Sequence, residues 1–325
     1  MPQETADQND NHSIAYCLLG YLCGYYRYYY PMEFITAFLN NAQNDEDVAN
    51  GTKLMKRYGI SISNPKWGVS RGTFFFDKEN KVIYKGLGSV KHLSESVSEE
   101  LYELSKSRTY SHFVDVLSDM AEKTSIDARQ IDILIKLDYF SSFGNQRELF
   151  RIRELFDLFK KGSAKKIKRD VVDGTPLESI VLKHATDTTK SGAPSKSYTL
   201  LDVAAILREG EAAIREVGMP DLGDLAKVRN FAEAMGYSGY VSGKEADRRK
   251  LYVKEIYPLK RKKDGVQFGH SIITQSIGSG VESRFTVFNR VFNQDPIQKD
   301  DVILCKSFER DGAYFTLTGY SHIYE

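Results

Sequence analysis

Cysteine, tryptophan and long apolar runs are scarce in this 325-residue sequence. Its three cysteines, Cys17, Cys23 and Cys305, form no CxxC pair and lack metal-finger spacing, so they predict neither a disulfide framework nor a zinc site. Residues 1–11 are polar and acidic instead of basic and then apolar, which argues against a signal peptide. Since no run reaches the length of a membrane span, we expect a cytoplasmic protein.

The formal net charge is only +1 at pH 7, which argues against a protein that coats nucleic acid over its whole surface. Local basic clusters would have to carry any contact with nucleic acid. A length of 325 residues suits two or three domains, and a hydrophobic content of 41% allows a sizeable core.

A glycine turn at residues 85–91, KGLGSVK, carries the clearest functional signal. Two glycines around one apolar residue let backbone N–H groups approach a phosphate, and the next segment has apolar residues at helical spacing. The pattern predicts a helix-hairpin-helix, which grips nucleic-acid backbone without reading bases; a plain structural turn is the alternative. The candidate contacts are Lys85, Gly86, Gly88, Ser89 and Lys91.

A second glycine turn, at residues 140–145, precedes another helix with an apolar face, and two such turns can straddle a duplex. It adds Gly144 and Asn145 to the candidate contacts. The pentapeptide Gln146-Arg147-Glu148-Leu149-Phe150 has the outline of a sliding-clamp-binding motif. We discount it, because Leu149 belongs to the apolar helix face and a clamp motif needs an extended, accessible segment.

The most basic stretch of the chain follows at residues 160–169. Lysines packed this closely would neutralise several phosphates, and Lys165 and Lys166 are the candidate contacts. A solvated helix end, where lysines complement the helix dipole, is the alternative. Residues 185–196 lack hydrophobic periodicity and predict a linker, after which helices are expected at 200–209, 212–217 and 225–235.

Helices are also predicted nearer the N-terminus, at residues 12–30, 32–42 and 45–58, with Pro31 ending the first, and a strand pair follows within residues 72–84. The tyrosine-rich run at residues 25–30 could stack on bases. Tyrosines at helical spacing are more often core, and we expect core here. Unsatisfied apolar surface on this helix would instead favour a lost partner.

The N-terminal segment resembles a known family. His12-Ser13-Ile14-Ala15-Tyr16 and Tyr30-Pro31-Met32-Glu33-Phe34 look like the fingers of C-family bacterial replicative polymerases, the alpha subunit of DNA polymerase III. That family continues with a short hairpin and Gly-Leu-Gly-x-(Val/Ile)-Lys, the order found here. The resemblance implies that His12, Ser13 and Tyr16 lie near the incoming nucleotide.

Two departures from the family's pattern concern nucleotide and backbone contacts. Asn9-Asp10-Asn11 stands where the family usually carries Asn-Lys-Ser, so a lysine beside the nucleotide is missing. Asp138 begins the second turn at the place where the family has the glycine of a Gly-Ala-Phe-Asp segment.

Five short strands rich in β-branched and aromatic residues are predicted at residues 251–257, 268–275, 283–292, 301–308 and 314–320. They predict a small closed barrel, and the OB-fold is a five-stranded barrel that binds oligonucleotides. Arg284 and Arg290, with Phe268 and Phe288, could form a single-strand groove, although we favour the alternative that the aromatics fill the barrel. The first loop adds the candidate contacts Lys260, Arg261, Lys262 and Lys263.

The chain is thus predicted to be a multidomain α+β protein, with all-α fingers and a helix-hairpin-helix region followed by a small β-barrel. The predicted divisions are outer fingers helices at 1–64, a β-hairpin and tandem helix-hairpin-helix region at 65–160, a basic segment and linker at 161–199, a helical connector at 200–247 and an OB-fold at 248–325.

The resemblance implies the C-terminal part of a replicative polymerase, which binds primer-template DNA through the hairpins (duplex) and the barrel (single-stranded template). The family transfers nucleotides with two metal ions held by palm aspartates upstream of the fingers. We therefore expect no catalytic residue and no metal or cofactor in this chain, and Mg²⁺ in a palm outside it. The acidic runs Asp45-Glu46-Asp47 and Asp300-Asp301 fit a helix start and a strand entry.

The implied partners are DNA and, as further candidates, a separately encoded palm portion, a sliding clamp and a clamp loader; no membrane partner is expected. A stand-alone, non-catalytic nucleic-acid-binding accessory protein is the alternative function. A structural scaffold whose hairpins only pack is the third, and salt-sensitive duplex binding would count against it.

Overall fold

The computed structural model describes residues 3–88, 90–188, 194–235 and 239–324. It divides into two compact units, each assembled from separate stretches of chain. The barrel unit comprises Met1–Asn64, Thr73–Gly86 and Tyr237–Tyr324, and the hairpin unit comprises Pro65–Gly72 and Leu87–Gly236. In the described part of the chain, no helix combines the length and apolar character needed to cross a membrane.

The barrel unit begins with three helices, α1 (Gln3–Tyr29), α2 (Pro31–Asn40) and α3 (Asp45–Arg57), in the order predicted. Pro31 occupies the first turn of α2, where its missing N–H costs nothing. Three short strands follow as a sheet of order β1-β3-β2: β1 (Ser61–Ser63), β2 (Phe75–Asp77) and β3 (Val82–Tyr84). A core shared by α2, α3 and this sheet includes Ile35, Met55 and Ile83.

The tyrosines of α1 do not form core. Every side chain from Ser13 to Tyr30 is exposed, and Tyr16 and Tyr28 are each 72% exposed. The expectation of a core role was wrong because helical spacing says which residues share a face, whereas burial requires a neighbouring element to cover that face.

The hairpin unit begins with four helices, three of which are capped by residues next to them. It contains α4 (Glu95–Ser107), α5 (Phe113–Lys123), α6 (Ala128–Lys136) and α7 (Gln146–Leu158). Ser94 caps α4, while Asp127 with Gln130 and Asn145 with Glu148 form capping boxes on α6 and α7. Phe113, Leu134, Phe140 and Phe156 are among the residues buried between these helices.

The two described ends of the linker predicted at residues 185–196 are instead strands of a sheet. After β4 (Lys166–Lys168), α8 (Arg169–Val172) and α9 (Glu178–Lys183), strands β5 (Ala185–Thr188) and β6 (Pro194–Leu200) complete an antiparallel sheet of order β4-β6-β5. Thr186 lies opposite Thr199, and β-branched residues suit such pairs. Residues 189–193 lie outside the described residues.

Two further helices complete the hairpin unit: α10 (Val203–Glu216) and α11 (Asp224–Met235). The two helices predicted at 200–209 and 212–217 are one continuous helix. Gly210 suits its interior because a Cβ there would lie 2.7 Å from Cδ2 of Leu155 on α7.

The C-terminal strands close into a barrel, as predicted. A short 3-10 helix (Glu245–Arg249) leads into β7 (Lys250–Lys260), β8 (Gln267–Ser276) and β9 (Glu282–Phe288); α12 (Asn289–Phe292), β10 (Val302–Asp311) and β11 (Tyr314–His322) follow. The closed order is β10-β11-β9-β8-β7, with β9 and β11 parallel and the other neighbours antiparallel. Val253, Ile272, Val287 and Leu317 fill the interior. This confirms the predicted fold class, an α+β protein with an OB-like barrel.

Candidate nucleic-acid interface

The turn before α4 brings two glycine backbones together in the hairpin unit. The N–H of Gly88 donates to the carbonyl oxygen of Gly72 at 2.6 Å, and the N–H of Leu87 donates to that of Arg71 at 2.9 Å. A Cβ at Gly88 would lie 2.6 Å from the Gly72 oxygen, so glycine is required by this contact alone. Gly88 is exposed and could still meet a phosphate; Ser89 lies outside the described residues.

Lys85, predicted as a phosphate contact, lies inside the barrel unit. Its side chain is 2% exposed, and its ammonium donates hydrogen bonds to the carbonyl of Gly239 and, at 3.4 Å, to Oδ1 of Asn64. Burial lowers the pKa of this ammonium to about 7. The assignment is corrected, because an ammonium enclosed by protein cannot reach a phosphate. Gly86 beside it is buried as well.

Three exposed side chains surround the turn that leads into α4. Lys91 points to solvent while its N–H donates to the carbonyl of Ala234 at 2.8 Å. His92 has a φ of 68°, a left-handed backbone usually reserved for glycine, and its Nε2 lies 3.0 Å from an Arg129 guanidinium nitrogen. We call Gly88, Lys91, His92 and Arg129 the first-turn surface.

His92 and Arg129 were missed by sequence reasoning. Arg129 lies in the first turn of α6, but its approach to His92 joins residues 37 positions apart, which no local pattern reveals. Two cations and a histidine beside an exposed glycine backbone can neutralise and hydrogen-bond phosphate oxygens. The first-turn surface therefore has the chemistry expected of a backbone grip.

The second turn keeps a glycine-like backbone without the family's glycine. Asp138 has a φ of 59°. Its carboxylate accepts hydrogen bonds from Nε2 of Gln146 at 2.8 Å and from Nζ of Lys227 at 3.2 Å. These contacts hold an aspartate in a conformation that costs most L residues about 1 kcal/mol or more. The turn therefore keeps its backbone conformation although aspartate replaces the family's glycine.

The N-terminus of α7 is occupied by protein groups, which corrects the assignment of Asn145 as a DNA contact. The Asn145 side chain accepts from the N–H of Glu148 at 3.0 Å and donates to the carbonyl of Met219 at 2.8 Å. The N–H of Gln146 donates to Asp221 at 3.1 Å. At Gly144, with φ 145°, an added Cβ would lie 2.8 Å from Oε2 of Glu148, so its role is in the turn.

The basic stretch at residues 160–169 is a turn followed by a strand, and not a helix end. Lys160, Lys161 and Gly162 have successive positive φ values of 48°, 55° and 80°. Strand β4 then alternates, with Ile167 buried and its neighbours exposed. We call the exposed lysines of this stretch the basic strip: Lys160, Lys161, Lys165, Lys166 and Lys168.

In the barrel unit, the predicted basic loop joins β7 to β8 as expected. Lys260, Arg261, Lys262 and Lys263 are all exposed, and Arg261 pairs with Asp264 at 3.5 Å. Gly265, with a φ of 69°, closes the loop. In OB-folds this loop and the face of the second and third strands bind oligonucleotides.

Strand β9 presents one cation and one aromatic on its outward face. Arg284 and Phe288 alternate with the buried Phe285 and Val287, and Phe288 is 46% exposed. The expectation that Phe288 fills the barrel is therefore wrong. The Phe268 ring, half-buried, lies 6.2 Å from that of Phe288, whereas Arg290 is exposed on α12, outside the strands.

An aromatic and cationic cluster formed by β9, β10 and β11 was also missed. The rings of Phe285, Phe308 and Phe315 lie 5.8–6.1 Å apart, and the Arg310 guanidinium lies 5.6 Å from the Phe315 ring. Phe308 is 52% exposed. The sequence signal was a pair of aromatics and an arginine flanking Asp311-Gly312. These residues were interpreted only as parts of two predicted strands. Exposed rings beside a cation can stack on unpaired bases.

The residues assigned to the nucleotide side lie on α1. Ser13 and Tyr16 are exposed there, and His12 belongs to the helix although its side chain is outside what the structure describes. Among the described residues, no three histidine, cysteine, aspartate or glutamate side chains come together as a metal site.

Comparison with known proteins supports the turn geometry. Residues 59–150 match the family model for a helix-hairpin-helix motif. DNA polymerase III subunit alpha of Ureaplasma parvum is 27% identical over 154 residues, and that of Campylobacter jejuni is 31% identical over 153 residues. The chain is similar to DNA polymerase III subunit alpha. The resemblance drawn from the sequence, to a C-terminal part of that subunit, is thereby confirmed.

These matches cover part of each protein. They include 47% and 46% of this chain but 16% and 12% of the two relatives. The Thermus aquaticus subunit, 26% identical over 229 residues, matches 64% of this chain with 18% of its own length. The chain therefore spans less than a fifth of the length of these relatives.

Proposed function

We propose that this chain holds primer-template DNA during replication, with the hairpin unit binding duplex backbone and the barrel unit binding single-stranded template. The observation that carries the proposal is the helix-hairpin-helix match at residues 59–150. The first-turn surface supports it with an exposed glycine backbone and cations. The basic loop and the exposed rings of Phe288 and Phe308 support the barrel's part.

In this proposal the chain positions DNA, while nucleotide transfer and its Mg²⁺ belong to a polymerase portion outside the chain. Phosphate contacts fix register and orientation without reading sequence, which is what a replicase needs as it moves along any template. Such a role would place the protein with the chromosome, in the cytoplasm.

The test is fluorescence anisotropy of the purified chain with blunt duplex, with single strand and with a primer-template that has a 5′ overhang, each across a salt series. A hairpin variant carries Lys91→Gln and Arg129→Gln. A barrel variant has the four basic loop residues replaced by Gln. A control variant carries Lys123→Gln and Lys183→Gln, two exposed cations outside the first-turn surface and the basic strip.

We expect the hairpin variant to lose duplex affinity and the barrel variant to lose single-strand affinity, each with a shallower salt slope. Each lost phosphate contact lowers the slope by about 0.9 for duplex and about 0.7 for single strands. The control should match the wild type. Absence of binding at low salt, or equal losses in all three variants, would contradict the proposal.

A further inference from the structure

From Ser13 onward, helix α1 presents an apolar and aromatic surface on all its sides. All side chains from Ser13 to Tyr30 are exposed, including those of Ile14, Leu18, Tyr21, Leu22, Tyr25 and Tyr28. Arg27 is the one charged residue in that stretch of sequence. A helix on the surface of a soluble protein normally keeps one polar face, and a helix that is apolar all round is normally buried.

Backbone hydrogen bonds join the end of α1 to α2. The N–H of Tyr30 donates to the carbonyl of Tyr26 at 2.8 Å, and the N–H of Phe34 donates to that of Tyr30 at 2.9 Å. Helix α2, which continues from α1, is packed in the core through Ile35 and Leu39. The rings of Tyr25 and Tyr29 lie 4.8 Å apart along the same side of α1. The exposed helix therefore continues directly into a helix that is packed in the core.

The chemistry of α1 suits a folded protein partner. Tyrosine hydroxyls need hydrogen-bond partners when their rings are buried, and a protein interior supplies them. Apart from the neighbouring residues and nearby backbone of α1 itself, no described heavy atom lies within 4 Å of the Cβ positions that Gly20 and Gly24 would have. Another backbone can therefore approach closely there.

The C-terminal end of α1 favours a partner that carries negative charge. A groove of about 390 Å³ lies beside it, lined by Arg27, Lys53 and Arg57 together with Phe34 and Phe38. Three cations around an apolar floor favour a partner with apolar side chains edged by carboxylates. A phosphate backbone fits less well, because residues 13–29 of α1 are mostly aromatic and aliphatic and carry no cation besides Arg27.

We propose that α1 is the docking helix for the polymerase portion of a DNA polymerase III alpha subunit, which buries it on several sides. This inference rests on the proposed function. The matched relatives carry at least four-fifths of their length outside the region similar to this chain, since the matches take 16%, 12% and 18% of them. We infer that this additional polypeptide supplies the surface that covers α1.

The test measures complex formation with a defined probe, the Ureaplasma parvum alpha subunit from which the region matching this chain has been removed. Light scattering after gel filtration gives the mass of the mixture, and titration calorimetry gives the affinity. An α1 variant carries Leu18→Ser, Tyr21→Ser and Tyr28→Ser. A control carries Leu201→Ser and Val217→Ser, which change equally exposed apolar residues of the hairpin unit.

We expect a one-to-one complex whose affinity falls at least about tenfold in the α1 variant and stays within about twofold in the control, as for loss of central apolar anchors. Circular dichroism of both variants should match the wild type, because these side chains are already exposed. No complex with the probe, or equal losses in both variants, would overturn the inference.

Two further outcomes would replace the partner and so overturn the inference. A dimer of the chain alone that the α1 variant abolishes would assign the helix to a second copy. Binding to phosphatidylglycerol vesicles that the variant abolishes would assign it to a lipid surface. DNA anisotropy run in parallel separates the two proposals: DNA binding without a complex rejects only the docking, and a complex without DNA binding rejects only the DNA-holding role.

Discussion

The carboxylate of Glu211 on α10 caps the N-terminus of α5, accepting hydrogen bonds from the N–H groups of Phe113 at 3.0 Å and Val114 at 2.9 Å. The residue before α5, His112, makes no capping hydrogen bond with its own side chain. Glu211 is fully buried, and Arg215 donates to the same carboxylate at 2.6 Å. A residue nearly a hundred positions away thus replaces the local cap.

Glu211→Gln should lower the free energy of unfolding of the hairpin unit by roughly 1–3 kcal/mol, since one amide oxygen cannot replace two charged acceptors in a buried site. Urea denaturation followed by circular dichroism measures the loss. Glu216→Gln, an exposed glutamate of the same helix, is the control and should change little. Equal midpoints for Glu211→Gln and the wild type would show that the cap contributes nothing.

Lys85 should make the stability of the barrel unit depend on pH. Burial lowers its pKa from 10.5 to about 7 in the folded chain. Between those values the unfolded chain binds a proton that the folded chain does not, so stability should rise with pH across that window. Below pH 7 both states are protonated and the cost of burying the charge is complete.

Lys85→Met should remove this dependence. The urea midpoints of the two proteins should be measured from pH 6 to pH 10. As the pH rises from about 7, the midpoint of the wild type should increase relative to that of the variant. Lys78→Met, which changes an exposed lysine of the same unit, should leave the slope unchanged. Parallel profiles for Lys85→Met and the wild type would contradict the assigned burial.

Gly88→Ala should destabilise the first turn by roughly 1–3 kcal/mol, because the new methyl would meet a backbone oxygen that cannot rotate away. The same change should weaken duplex binding in the anisotropy assay by displacing the exposed backbone. Gly24→Ala, at a position with open space, is the matched control and should be neutral or slightly stabilising. A tolerated Gly88→Ala would mean that the Gly72 contact is not needed.

Phe308 and Lys262 should affect single-strand binding in different ways. Phe308→Ala removes an exposed ring and should cost about 1–3 kcal/mol of affinity with the salt slope unchanged. Lys262→Gln should lower the slope by about 0.7 if the lysine contacts a phosphate. Phe308→Tyr should restore binding, because it keeps the stacking surface. A loss that persists in Phe308→Tyr would indicate a structural role for the side chain.

Local patterns predicted the elements of this fold well. Pro31 placed the break between α1 and α2, and β-branched and aromatic residues placed the five barrel strands. Strands β5 and β6 were missed because their residues carry no periodicity and gain their hydrogen bonds from segments elsewhere in the chain. Whether such segments form strands depends on the strands they pair with, and not on the intrinsic β-propensity of their residues.

The candidate sites were harder to predict, because exposure depends on contacts between distant residues. Lys85 sits in a basic glycine turn, the strongest local signal, yet Asn64 and Gly239 enclose it. Phe288 alternates as a barrel-filling residue would, yet its side of β9 faces outward. Arg129 belongs to the first-turn surface because its guanidinium contacts His92. In each case the residue type indicated what the side chain can bind. Its exposure depended on residues that lie far away in the sequence.

The three-part origin of the barrel unit governs the order in which the chain can fold during synthesis. Ile35 and Ile62 emerge from the ribosome early, but Val241, which belongs to the same core cluster, emerges some two hundred residues after Ile35. At about 5–20 residues per second, the early segments wait for on the order of ten seconds or more with their apolar side chains uncovered. The hairpin unit, which ends at Gly236, occupies most of that interval. The apolar residues of the barrel unit's first stretch, residues 1–64, are therefore expected to need a chaperone until the last stretch has emerged.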